Sequence, residues 1–191
     1  MMLPSRALEL ACDETVELLP KVRAMGPTVT QIAEAMIACF EGGGKILMAG
    51  NGGSAADALH FSEELTVRYK RDRRPLASIA LMDPTAITCA GNDMGYNAIF
   101  SRQVEALGRA GDVFVGFTTS GNSDNMRLAF DAARKLGMKT IGFLGKTGGA
   151  CRECCDIPLV IPSSETARIQ EMHQLIYHAL CEYFDAWALA L

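Results

Sequence analysis

The 191-residue chain is short of histidine, with three, and of tryptophan, with one. It also has no long apolar run. No stretch approaches the ~20 consecutive apolar residues that a bilayer-spanning helix needs, so none is expected. Basic residues are in deficit, 18 against 22 acidic ones, and the net charge of −4 removes any bulk attraction to nucleic acid or an anionic membrane. The opening stretch, MMLPSRALELACDE, carries acids where a signal peptide would need a basic segment and an apolar core. The seven cysteines are an odd number, and no second CxxC completes a four-thiolate site with Cys151, Cys154 and Cys155. Reduced thiols in the cytoplasm are therefore expected, with the CRECC cluster as a loop or short helix carrying incidental thiols. Repeats, low-complexity segments and long linkers are also missing. With 49% hydrophobic and 21% charged residues, the chain reads as one folded domain over 1–191 with a sizeable core.

What the sequence does have is concentrated in AGNGGSAADALHFSEEL, from Ala49 to Leu65. An apolar run from Lys45 to Met48 reads as a short buried strand. Gly50, Gly52 and Gly53 make a tight turn, and Ser54 opens a helical pattern. Glycine lets the backbone come close to a ligand, and the free amides and dipole of a helix start favour an anion. His60 and Glu64 fall at i and i+4, on one face of that helix. The bland alternative is a plain strand-to-helix turn followed by a surface pair.

Strand-like runs recur at Leu76–Leu81, Asp112–Thr118, Lys139–Leu144 and Ile157–Ile161. Helical patterns separate them near Pro84–Ala90, Phe100–Leu107 and Asp124–Leu136, and a last one covers Glu165–Leu191. This alternation predicts a parallel sheet with helices on both faces, with ligands beyond the carboxyl ends of the strands. Residues 1–42 read as two helices, interrupted at Pro20 and again at Gly26-Pro27, ahead of a core over 43–191. Such a hairpin serves either to assemble subunits or to cover the sheet. The basic run from Arg68 to Arg74 reads mostly as a solvated helix end, with Arg68 set apart by its spacing from Glu64 and His60.

The loop after the third strand, TTSGNSDN, groups hydroxyls at Thr118, Thr119, Ser120 and Ser123 around Gly121, where a helix should begin. One hydroxyl would suffice for a cap. Four in a cluster suit a phosphate monoester, each adding a directed hydrogen bond. On the last helix, Gln170, Gln174 and His178 at i, i+4 and i+8 draw a polar strip along an apolar element, and a buried polar strip needs partners. His60, Glu64, Gln170 and His178 would suit a borderline divalent metal, or a carboxylate base with an imidazole acid. Satisfied core or interface groups are the alternative, because sequence alone does not bring the two helices together.

GNGGSAADALHFSEEL, GNDMGYNAIFSRQVEALGRAGDV, TTSGNSDN and ARIQEMHQLIYHALCE together resemble the phosphoheptose isomerase family, the sedoheptulose 7-phosphate isomerases of the sugar-isomerase (SIS) fold. The likeness runs from about Gly43 to the end of the chain. The resemblance implies a three-layer α-β-α sandwich with a five-stranded parallel sheet, preceded by the N-terminal helical hairpin. It implies a homotetramer with active sites between subunits and one Zn2+ per site. The reaction implied is aldose–ketose isomerisation of sedoheptulose 7-phosphate to D-glycero-D-manno-heptose 7-phosphate. This is the first step toward the activated heptoses of lipopolysaccharide and other surface glycans.

By the same resemblance, Asn51, Gly52, Gly53, Asn92 and Asp93 line the substrate loops, and Thr118, Thr119, Ser120 and Ser123 cradle the phosphate. His60, Glu64, Gln170 and His178 take the zinc positions. Gln170 and Glu64 also touch substrate, and Glu64 and His178 form the acid/base pair. Ala167 stands where some relatives carry a carboxylate, which removes any acid role at that position. A non-catalytic SIS relative that binds a replication initiator shares the glycine loop and ARIQEMH but lacks the Glu and the second His, both present here. Another SIS sugar-phosphate isomerase is a further alternative. A nicotinamide enzyme is disfavoured, because the plausible ribose-binding acid, Asp83, lies 33 residues past Gly50 rather than ~20.

Overall fold

The structure is a computed structural model describing residues 2–190. Two helices, α1 (Pro4–Arg23) and α2 (Gly26–Glu41), precede the core. There β1 (Ile46–Gly50), α3 (Gly53–Thr66), β2 (Ser78–Ala80), α4 (Pro84–Asp93) and α5 (Ser101–Leu107) follow in order. Then come β3 (Val113–Thr118), α6 (Asp124–Lys135), β4 (Lys139–Gly145), β5 (Ile157–Ile161) and α7 (Thr166–Leu189). Single turns of 3-10 helix fill Tyr96–Ala98 and Ala150–Cys154. All strand pairs are parallel, in the order β2-β1-β3-β4-β5.

Strand pleating sorts the apolar residues into two cores. Ile46, Met48, Val113, Val115, Phe117, Ile141 and Phe143 face α1, α2, α3 and α7. Leu47, Ala49, Phe114 and Leu144 face α4, α5 and α6. Because successive side chains of a strand point to opposite faces, central strands buried on both sides read as continuous apolar runs. This gives the expected three-layer α-β-α sandwich. The aromatic centre stacks Phe117 on Phe143 at 4.7 Å and Phe61 on Tyr177 at 5.2 Å between ring centroids. Each such side chain contributes roughly 1.5–3 kcal/mol by leaving water.

The chain leaves β1 first toward β2 and later returns to place β3 on its other side. β1 and β3 therefore flank the point where the winding reverses, and the loops following them open side by side. That is where open α/β sheets bind ligands.

Two expectations need correction. Pro20 does not interrupt the first helix; it lies within α1, and the break comes at Ala24 and Met25. A proline costs one helical hydrogen bond, and the apolar stripe of Leu18 and Val22, buried against the core, continues the helix past it. Nor is Arg73 part of a solvated helix end. Its side chain is fully buried, 3.0 Å from Asp185 of α7, because a counter-ion and three backbone carbonyls are waiting for it there.

Candidate active site

The first half of the site is the hydroxyl loop. Thr118 ends β3 buried, with its Oγ1 at 3.5 Å from the Ser120 hydroxyl and 3.4 Å from that of Ser123. The amide of Gly121 donates to Thr118 Oγ1 at 3.2 Å, and that of Asn122 to Ser120 Oγ at 3.1 Å. Ser123 occupies the N-cap of α6, yet its hydroxyl caps no amide of that helix. The hydroxyls thus share long, weak contacts at the start of a 12-residue helix, leaving their protons available to an anion. Gly121 is held at φ +67°, and a Cβ there would meet the Gly148 carbonyl oxygen at 1.9 Å, so no other residue fits this turn.

The neighbouring loop, after β1, is tied to this one. Asn51 and Asn125 exchange two amide hydrogen bonds of 2.9 Å, and the Tyr96 hydroxyl donates to Asn51 Oδ1 at 2.8 Å. At Gly53 a Cβ would lie 2.3 Å from Gln170 Nε2, so the Gln170 amide rests directly on the first turn of α3. Asn92 and Asp93 form the exposed last turn of α4. Asn92 Nδ2 donates to Asp93 Oδ1 at 2.7 Å, and neither residue is hydrogen-bonded to the two loops. Thr119 is half-buried just past the end of β3.

The second half lies between α3 and α7. Gly53 meets Gln170, His60 meets Gln174 and Tyr177, and Lys70 meets Glu182. Contacts advance together along both helices, so the two run parallel and their polar strips coincide. One ligand atom from each of His60, Glu64 and His178 lies within 4.8 Å of the others. His60 Nε2 faces Glu64 Oε1 at 3.2 Å, and the two imidazole rings stand 5.0 Å apart. Buried, His178 Nε2 has no hydrogen-bond partner at all. Burial, together with the nearby His60 and Lys70, holds the His178 ring below its ordinary pKa and thus neutral near pH 7, the form in which imidazole binds a metal.

Two imidazoles, one with its nitrogen unpartnered, and a carboxylate fit a borderline divalent cation with coordination positions left for other ligands. A buried polar atom without a partner is uncommon and calls for a ligand, an ordered water or strain to explain it.

The third histidine also has a buried nitrogen without a partner, Nδ1, but it stands outside the His/Glu cluster. His173 is buried between Phe117 and Phe143, donates from Nε2 to the Leu144 carbonyl at 3.0 Å, and is lowered to about pKa 4 by burial. It belongs to the core. The cysteine cluster is likewise inert: burial pushes the thiols of Cys151 and Cys155 up to about 12.

Three residues of the site escaped the sequence reading. Arg73 donates to the carbonyls of Glu64 at 2.6 Å and Leu65 at 2.8 Å while paired with Asp185, and so fixes the end of α3 that carries Glu64. Asp185 in turn accepts the amides of Lys70 and Arg71. Tyr177 brings its hydroxyl to 3.0 Å from His60 Nδ1. A signal was available for Tyr177, which stands three residues past Gln174 on the polar strip. None was available for Arg73, whose charge run looks like solvent.

Residues 12–145 match the family model described as the SIS domain. The phosphoheptose isomerase of Aliarcobacter butzleri is 49% identical over 177 residues, covering 92% of this chain and 93% of that protein. Among solved structures, a phosphoheptose isomerase from Francisella tularensis superposes with a TM-score of 0.93 at 38% identity, covering 97% of this chain and all of that one. Another from Neisseria gonorrhoeae superposes at 0.91 with 41% identity, covering 96% of this chain and all of that one. With a family model matched over most of its length and relatives about half identical across it, the chain belongs to the phosphoheptose isomerase family of SIS-domain proteins.

Proposed function

We propose that this chain converts sedoheptulose 7-phosphate to D-glycero-D-manno-heptose 7-phosphate, opening the supply of activated heptose. The observation that carries this reading is the His60–Glu64–His178 cluster with its orphaned nitrogen, set between α3, which starts beside the hydroxyl loop, and α7. Aldose–ketose isomerisation moves one proton between adjacent carbons through an enediol and a second between their oxygens. The Glu64 carboxylate takes and returns the carbon proton. His178, held neutral, serves the oxygens. Thr118, Thr119, Ser120 and Ser123 bind the phosphate, fixing the far end of the open-chain sugar, while Asn51, Gly52, Gly53, Asn92, Asp93 and Gln170 hold its hydroxyls. His60, Glu64, His178 and Gln170 would hold one Zn2+ per site, which would either polarise the substrate carbonyl or fix Glu64 and His178 in place.

The working unit is a homotetramer in the cytoplasm with active sites between subunits, each chain contributing one SIS domain over 1–191. Support for the single domain comes from Leu18, Val22, Ile32 and Met36, whose helices share one core with the sheet.

Proton NMR of the purified protein with sedoheptulose 7-phosphate in D2O, with and without chelator, tests the reading. An aldose signal with deuterium entering beside the carbonyl, lost on chelation, is expected. No conversion by folded, zinc-supplied protein would overturn it in favour of a binding module.

A further inference from the structure

His60 is held at both ring nitrogens. Nε2 faces Glu64 at 3.2 Å, and Nδ1 faces the Tyr177 hydroxyl at 3.0 Å. Tyr177 is 1% exposed, stacked on Phe61, and His60 Nδ1 is the hydroxyl's one hydrogen-bond partner among the described residues. The apolar stacking would be served as well by phenylalanine, so the hydroxyl is the part that needs explaining.

Resting on the metal-site reading above, we propose that Tyr177 is a positioning residue for His60, orienting the imidazole so that Nε2 is presented to the cation. A carboxylate only accepts, so without metal Nε2–H donates to Glu64 and Nδ1 accepts from the Tyr177 hydroxyl. To ligate through Nε2 the ring must carry its proton on Nδ1 instead. The phenol then turns from donor to acceptor without moving its oxygen. Gln174, whose Nε2 lies 3.5 Å from the same Nδ1, is a donor there and cannot accept unless its amide flips. A hydroxyl serves both states, whereas a hydrocarbon serves neither. Outer hydrogen bonds of this type commonly set metal affinity.

The test is Zn2+ affinity by competition with a chromophoric chelator at pH 7, for the full chain, Tyr177→Phe and His60→Ala. Tyr177→Phe should bind Zn2+ about 10- to 100-fold more weakly, with the melting temperature of its metal-free form close to that of the parent. Wild-type affinity in Tyr177→Phe, beside lost binding in His60→Ala, overturns the tyrosine's role and leaves the metal site standing. Absence of binding by the parent chain overturns both. Should Tyr177→Phe not fold, imidazole 15N spectra of the parent chain decide. An unprotonated, hydrogen-bonded His60 Nδ1 before Zn2+ and a protonated one after it are expected; a protonated Nδ1 before Zn2+ overturns the proposal.

Discussion

In the hydroxyl loop the polar groups come from one short stretch of chain, Thr118 to Ser123, and they bond chiefly to one another and to their own amides. In the α3–α7 groove the partners are 114 to 117 residues apart, and one buried nitrogen is left without any. The loop is satisfied locally, so it is formed before a ligand arrives and gains directed bonds when an anion sits on it. The groove carries unmet demand at His178 Nε2, which a ligand placed there would meet. The loop should accordingly set binding, and the groove chemistry.

Glu64→Gln strikes that division hardest. Turnover should fall by about 10²–10⁴ with the fold intact, measured as loss of deuterium incorporation beside the carbonyl. A near-normal rate would remove Glu64 as the base.

Arg73→Met tests whether the groove needs its buried frame. Leaving Asp185 buried without its cation should cost about 3–5 kcal/mol in urea unfolding. A loss under about 1 kcal/mol would mean that the end of α3 is held by other contacts.

His173 lies beneath both regions and provides a control. Its folded pKa is lowered from 6.5 to about 4, so its contribution to stability is complete above pH 6.5 and is lost as pH falls toward 4. The loss is worth about 3 kcal/mol. His173→Gln, which retains a donor for the Leu144 carbonyl, should flatten this part of the acid-unfolding profile. An unchanged slope would assign the acid sensitivity to other groups.

The smallest change is expected at the loop. Ser120→Ala should raise KM about tenfold with little change in kcat, as one hydrogen bond to a charged ligand is lost. A fall in kcat at constant KM would erase the contrast between the two regions.

Much of the loop was legible because its chemistry is contiguous. TTSGNSDN announces hydroxyls, a glycine and a helix start in a single reading. The strands from Lys45, Asp112, Lys139 and Ile157 were equally plain, being apolar runs bounded by turns. By contrast, the burial of Arg73 and the reach of Tyr177 to His60 depend on what stands opposite them, and spacing along one helix carries no information about another.

The sequence by itself determined the alternation of strands and helices, the positions of both loops and the helix face that His60 and Glu64 share. Those follow from backbone sterics, side-chain periodicity and donor chemistry, which are local. The parallel packing of α3 on α7, which brings the two imidazoles to 5.0 Å, was decided by the tertiary structure alone. That alignment is set by the shared apolar core of Phe61, Phe143 and Tyr177, whose burial fixes how two distant helices lie against each other.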